Sequence, residues 1–241
     1  MEYFIDMHCH CLPGIDDGAR NMEESLQMLQ QAYADGIRKV IATPHFHHRR
    51  GHVSKEVIYR KVTEVQEAIK EVCPELEIYS GNELYYSSSL SELIAEEQIC
   101  TLANSRYVLV EFSPDIEYGE IRKALLNIQS QGVWPILAHI ERYLCLVKKP
   151  ALVEELVEMG VYLQVNASGV LGNYGRKEKK LIKKMFSKHM ISFVATDAHD
   201  TERRKQELSQ AAEYVKKKFG ESMVELCFWR NQQAVIENKI I

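Results

Sequence analysis

The stretch Tyr3-Phe4-Ile5-Asp6-Met7-His8-Cys9-His10 decides how the rest of the chain is read. It opens as a β-strand over residues 3–8, aromatic and apolar around a single acid, and it ends in two histidines one residue apart. Successive side chains of an extended segment point to opposite faces, so His8 and His10 share one side while Cys9 takes the other. A strand ending this way can present two imidazoles to one cation.

Working outward, the same kind of run recurs over 39–43, 77–81, 107–112, 133–139, 161–165 and 191–196, which makes seven strands. Helical spacing fills the intervals, over 22–35, 55–72, 88–97, 118–131, 150–159 and 178–188, and two further helical stretches, 207–219 and 222–236, follow the last strand. In the first helix Met22, Leu26, Leu29 and Tyr33 form the apolar stripe, and Gly36 stands just past its end. Alternation of strand and helix is the signature of a parallel sheet. Seven such units predict a distorted (β/α)7 barrel, TIM-barrel-like, as one α/β domain over residues 1–241; an open doubly wound sheet is the alternative.

Composition narrows the function. With 46% hydrophobic and 27% charged residues the chain is ordinary globular protein, and a net charge of -4 argues against a dedicated nucleic-acid binder. The one basic stretch, 176–188, carries Leu181, Ile182, Met185 and Phe186 at helical spacing and reads as the solvated face of an amphipathic helix. The opening residues show no basic n-region and no apolar h-region, so no export signal is expected, and no apolar run nears the ~20 residues of a membrane span. The six cysteines have no framework spacing, so reduced thiols and a cytoplasmic setting are expected.

Nearly every strand ends in a potential metal ligand. After His8 and His10 come His45 behind Ala42-Thr43-Pro44, Glu83 behind Gly81-Asn82, Glu111, His139, and the pair Asp197 and His199. In a parallel barrel the C-terminal strand ends open on one face, so these positions converge on one mouth. A lone histidine at a strand end is more often a hydrogen-bonded core residue, and a lone buried Glu111 a paired structural acid. The full set would leave uncompensated buried charge without cations, and imidazole mixed with carboxylate suits Mn, Fe or Zn better than Ca or Mg. His47, His48 and His52, with Arg49 and Arg50, are expected on a polar, substrate-facing rim, where Phe46 would lie beside an incoming phenyl ring.

Six segments carry a resemblance across nearly the whole chain. They are His8-Cys9-His10-Cys11-Leu12-Pro13-Gly14-Ile15-Asp16-Asp17-Gly18-Ala19, Ala42-Thr43-Pro44-His45, Gly81-Asn82-Glu83, His139-Ile140-Glu141-Arg142-Tyr143, Gln164-Val165-Asn166-Ala167-Ser168 and Thr196-Asp197-Ala198-His199. The sequence resembles the PHP (polymerase and histidinol phosphatase) superfamily and, within it, the manganese-dependent protein tyrosine phosphatases of bacterial capsular and exopolysaccharide loci. The resemblance implies that His8, His10, Glu83 and Asp197 hold a first ion, that Glu83 bridges to a second ion bound by Glu111 and His139, and that Asp17, His45 and His199 take a third. It implies Mn2+, two or three ions per chain, with Fe or Zn as alternatives. It places phosphate-binding arginines at Arg142 and Arg204, with Arg203 beside the second. The implied substrate is phosphotyrosine in a protein, the tail of a bacterial tyrosine kinase. A small-molecule phosphatase of the histidinol-phosphatase type and a metal-stabilised scaffold of a polysaccharide assembly complex are the alternatives.

Cys100-Thr101-Leu102-Ala103-Asn104-Ser105-Arg106 has the Cys-x5-Arg spacing of a thiol-nucleophile phosphate loop. It lacks the glycines that let backbone N–H groups wrap a phosphate, and it precedes a strand where such a loop should follow one. It is read as a decoy on the opposite face of the barrel.

Overall fold

The computed structural model describes residues 3–47, 51 and 53–241. Its strands are β1 (Phe4–Cys9), β2 (Ile37–Ala42), β3 (His45–Phe46), β4 (Glu77–Ser80), β5 (Glu83–Tyr85), β6 (Tyr107–Glu111), β7 (Trp134–Leu137), β8 (Tyr162–Asn166) and β9 (Phe193–Ala195). The α-helices are α1 (Met22–Ala34), α2 (Lys55–Ile69), α3 (Leu90–Ala95), α4 (Tyr118–Gln129), α5 (Leu144–Lys148), α6 (Ala151–Glu158), α7 (Ala167–Leu171), α8 (Arg176–Ser187), α9 (Ser209–Phe219), α10 (Glu221–Glu225) and α11 (Asn231–Ile236). All seven expected strands are present, with ends moved by one to two residues, and every named strand pair is parallel.

The sheet is curled and broken, and two residues explain the break. Pro44 has no N–H to give a ladder, so β2 stops at Ala42 and the chain resumes as β3. Gly81 separates β4 from β5. A Cβ there would lie 2.9 Å from Leu102 and 3.1 Å from Ile41, so only glycine lets the backbone pass. The result is a three-stranded sheet β1-β2-β4 and a six-stranded sheet β3-β5-β6-β7-β8-β9. Beyond the regular spans the ring joins again, since Asp197 N–H donates to the His8 carbonyl (2.8 Å) and His10 N–H to that of Ala198 (2.8 Å). This is the distorted seven-unit barrel the alternation predicts, with the two continuation strands unforeseen.

Inside the ring, Met7, Ile41, Tyr107, Leu109, Ile136 and Phe193 make one apolar plug, closed from the N-terminal side by Leu102 and Val235. The helices cover the outside, where a second and larger core lies. α1 is capped by Asn21, whose side chain accepts from Glu24 N–H, and it ends before Gly36 at φ +94°. α8 buries Leu181, Ile182, Met185 and Phe186 and turns its lysines outward, as expected. Between α10 and α11, Leu226–Arg230 forms a π-helical stretch where one regular helix was expected. No helix among the described residues is long and apolar enough to cross a membrane.

Candidate metal centre

Strand ends deliver the site. The pairing of β1 with β2 slips by one residue between Asp6 and Cys9, an irregularity of the kind that re-aims side chains beside active sites. His8 and His10 come side by side, their Nε2 atoms 3.4 Å apart, while the Cys9 thiol turns away to the Ile41 carbonyl. β3 and β5 run in register, so His45 stands opposite Glu83. His139 and Asp197 follow β7 and β9 in left-handed backbone, at φ +32° and +55°. Non-glycine residues at positive φ cost roughly 1–3 kcal/mol, and such strain persists only where surrounding structure enforces it.

All nine expected ligand residues converge on one mouth. Three groups of them place ligand atoms within 4.8 Å of one another: His8, His10, Glu83 and Asp197; His10, Asp17, His45 and His199; and His45, Glu83 and Glu111. Glu83 is the hub, with Oε2 3.3 Å from both His8 and His10 and 3.1 Å from His45, and Oε1 2.8 Å from His139 Nε2. His139 also lies 3.5 Å from Glu111. His45 therefore stands between two groups, facing Asp17 (3.5 Å) as well as Glu83 and Glu111.

Burial raises the stakes of every charge here. It works to raise Glu83, but His8, His10 and His139 outweigh it and hold that carboxyl well below the usual range. Burial and the neighbouring charge of Glu83 push Glu111 up to about 8. Burial also drives His45, His139 and His199 toward the neutral imidazole, the form that offers a lone pair. Asp197 Oδ1 and His199 Nε2 are buried with no hydrogen-bond partner. Buried lone pairs without a partner are rare in folded proteins, and divalent cations would take these two, Asp197 in the group with His8, His10 and Glu83 and His199 in the group with His10, Asp17 and His45. The donor set fits such an ion.

Asp197 has a second side. Its Oδ2 accepts from Arg142 (2.5 Å), from Arg204 (2.7 Å) and from the Asn166 amide (2.8 Å). Both expected arginines thus meet beside the cluster, Arg142 on the short turn Ile140–Arg142 and Arg204 in the loop after His199. Arg203 lines the same cavity but makes no ion pair with Asp197 among the described residues.

Several residues have roles that were not foreseen. Asp16 Oδ2 takes His10 Nδ1 (2.7 Å) and His45 N–H (2.9 Å), and its Oδ1 takes Gly18 N–H (3.0 Å). Gln164 faces His8 Nδ1 (3.2 Å) and accepts from His139 N–H (2.8 Å). Second partners of this kind fix the tautomer and aim of a ligating ring. The signal for Gln164 was a polar residue inside an otherwise apolar strand run, whereas Asp16 lies in the loop after β1, where no strand pattern marks it. One expectation fails: Phe46 is only 1% exposed and belongs to the apolar core, so it is no part of a rim. His47 stacks on Tyr85 at 4.7 Å, and His48, Arg49, Arg50 and His52 lie outside the described residues. Cys100 is buried beneath α2, its N–H bonded to Asn82, and burial pushes its thiol up to about 11. A protonated, enclosed thiol is no nucleophile.

Comparison with known proteins agrees with this geometry. Tyrosine-protein phosphatase CpsB of Streptococcus pneumoniae is 33% identical over 242 residues, covering 98% of this chain and 100% of the relative. Tyrosine-protein phosphatase YwqE of Bacillus subtilis (strain 168) is 30% identical over 239 residues, 98% of this chain and 93% of that one. A chain from the crystal structures of YwqE from Bacillus subtilis and CpsB from Streptococcus pneumoniae, described there as unique metal-dependent tyrosine phosphatases, superposes with a TM-score of 0.91 at 28% identity, covering 98% and 96% of the two chains. The family described as "Capsular polysaccharide synthesis, CpsB/CapC" matches residues 4–237, and this chain belongs to it.

Proposed function

We propose that this chain is a metal-dependent protein-tyrosine phosphatase acting in the cytoplasm on phosphotyrosine in the tails of bacterial tyrosine kinases that control capsular or exopolysaccharide synthesis. The observation that carries the reading is the divided Asp197, which turns one oxygen toward His8, His10 and His199 and gives the other to two guanidinium groups and an amide. It sets a fork suited to phosphate directly against a cluster suited to cations. The names of the CpsB and YwqE relatives support the substrate class, and the family description supports the capsule setting.

His8, His10, Glu83 and Asp197 would hold one ion; Glu83 and Glu111, with His139 or His45, a second; and Asp17, His45 and His199 a third. Manganese is the assignment favoured by imidazole and carboxylate donors without thiolate. Divalent ions held here supply positive charge for phosphoryl oxygens and acidify water toward a pKa of about 7. The chain's own residues do the rest. Arg142 and Arg204 swing from Asp197 to the phosphate oxygens, and Asn166 keeps Asp197 aimed at the histidines while they do so. A phenol, with a conjugate pKa of about 10, departs without a dedicated general acid.

The test is protein stripped with EDTA and reloaded with single ions, assayed on a phosphotyrosine peptide beside histidinol phosphate. Manganese should restore peptide turnover. Full activity in metal-free protein, or much faster turnover of histidinol phosphate, would overturn the reading.

A further inference from the structure

We propose that Tyr174 is the aromatic wall of a leaving-group subsite, against which the phenyl ring of an aryl phosphate lies while its phosphate engages Arg142 and Arg204. The proposal rests on the phosphatase reading above. Tyr174 stands in the turn between α7 and α8, bracketed by Gly172 at φ +99° and Gly175 at φ +130°. These left-handed glycines reverse the chain and lay the tyrosine back over the mouth. Its hydroxyl accepts from Arg142 Nη2 (3.1 Å) and from Asn166 Nδ2 (3.1 Å), the same two groups that bond Asp197, and the Ser168 hydroxyl meets it at 3.3 Å. The Arg142 guanidinium carbon lies 5.5 Å from the ring centroid.

A ring pinned by its hydroxyl to the phosphate fork is nonetheless 39% exposed. What it borders is a cavity of about 300 Å3 whose lining includes the apolar Ala167 and Leu171 and the charged Asp197, Glu202, Arg204 and Glu207. Phosphate at the arginines would place an attached ring in that space, beside Tyr174. Competing aromatic surfaces are less suited. Phe46 is in the core, and Tyr85, beside His45 and Glu111, already has a face covered by His47. An alkyl phosphate would gain nothing from the wall, whereas an edge-to-face or offset aromatic pair is worth about two- to tenfold in affinity. The same contact would favour phosphotyrosine over phosphoserine at this site.

Phenylphosphonate and ethylphosphonate, which lack the scissile ester bond, test this by calorimetric binding to manganese-loaded protein. Wild type should bind the phenyl compound about two- to tenfold more tightly. Tyr174→Phe should keep that ratio while weakening both ligands, because Arg142 and Asn166 lose a shared acceptor. Tyr174→Leu, and Tyr174→Gln, which retains an acceptor without a ring, should bring the ratio to about one. A wild-type ratio of one, an unchanged ratio in both ringless variants, or its loss in Tyr85→Leu instead, overturns the proposal. A wild-type protein that holds the ratio but does not cleave phosphotyrosine peptide would refute the phosphatase reading and leave this subsite standing.

Discussion

Replacing Asp16 by Asn should weaken metal loading by about 10- to 100-fold without unfolding the protein. All three partners of the Asp16 carboxylate are donors: His10 Nδ1 and His45 N–H at Oδ2, Gly18 N–H at Oδ1. Asparagine has one acceptor oxygen and one NH2 group, so either orientation sets a donor against a donor. If the amide faces His10, the ring loses the partner that keeps its proton on Nδ1 and leaves the Nε2 lone pair toward Glu83 and His8. If it faces Gly18, the loop that carries Asp17 toward His45 and His199 is released. A buried donor left unpaired costs about 1–3 kcal/mol, or roughly 5- to 150-fold in an equilibrium, which brackets the effect expected of a second partner to a metal ligand. The assay is the half-saturating manganese concentration, from activity and from calorimetry on stripped protein, with circular dichroism as the folding control. Turnover at saturating metal should change far less than the half-saturation point. An unchanged half-saturation point would refute the argument that Asp16 orients His10.

Cys100→Ser should keep near-normal turnover of phosphotyrosine peptide while Glu83→Ala loses at least about a hundredfold, since only Glu83 touches the cluster; loss of activity in folded Cys100→Ser would revive a thiol mechanism. Arg142→Ala should lower kcat/KM by about a hundredfold with the fold intact, because Asp197 retains Arg204 and Asn166, and Arg142→Lys should not restore it, since a point charge lacks the planar fork. Full rescue by lysine would refute the fork. Gly18→Ala should cost about 1–3 kcal/mol of stability, because a Cβ there meets the His10 carbonyl oxygen at 2.0 Å. At roughly 2–4 °C per kcal/mol in a protein of this size, thermal melting should show the loss, and an unchanged melting temperature would exclude it.

Much of this molecule was legible before folding, for reasons that separate cleanly. Strands buried on both faces read as apolar runs, so all seven were found, and the ligand-type residues stood out as the polar interruptions at their ends. β3 and β5 were not legible, since runs of two and three residues carry no period, and neither were the five-residue α5 and α7. The π-helical stretch at Leu226–Arg230 also left no mark on a 3.6-residue pattern.

By itself the sequence determined which residue types stand at which strand ends, and hence that a cation cluster belonged at one mouth of a βα ring. Tertiary structure alone decided which residues share an ion-sized space: His45 between Asp17 and Glu83, Asp197 divided between histidines and arginines, Asp16 locking His10, and Tyr174 folded over Arg142. It also took Phe46 out of the rim and into the core. The physical reason is that periodicity along a chain reports the face a side chain takes, whereas depth, register between strands and the aim of a ring depend on neighbours brought in from far along the chain, as Gln206 is to Asp6 across 200 positions.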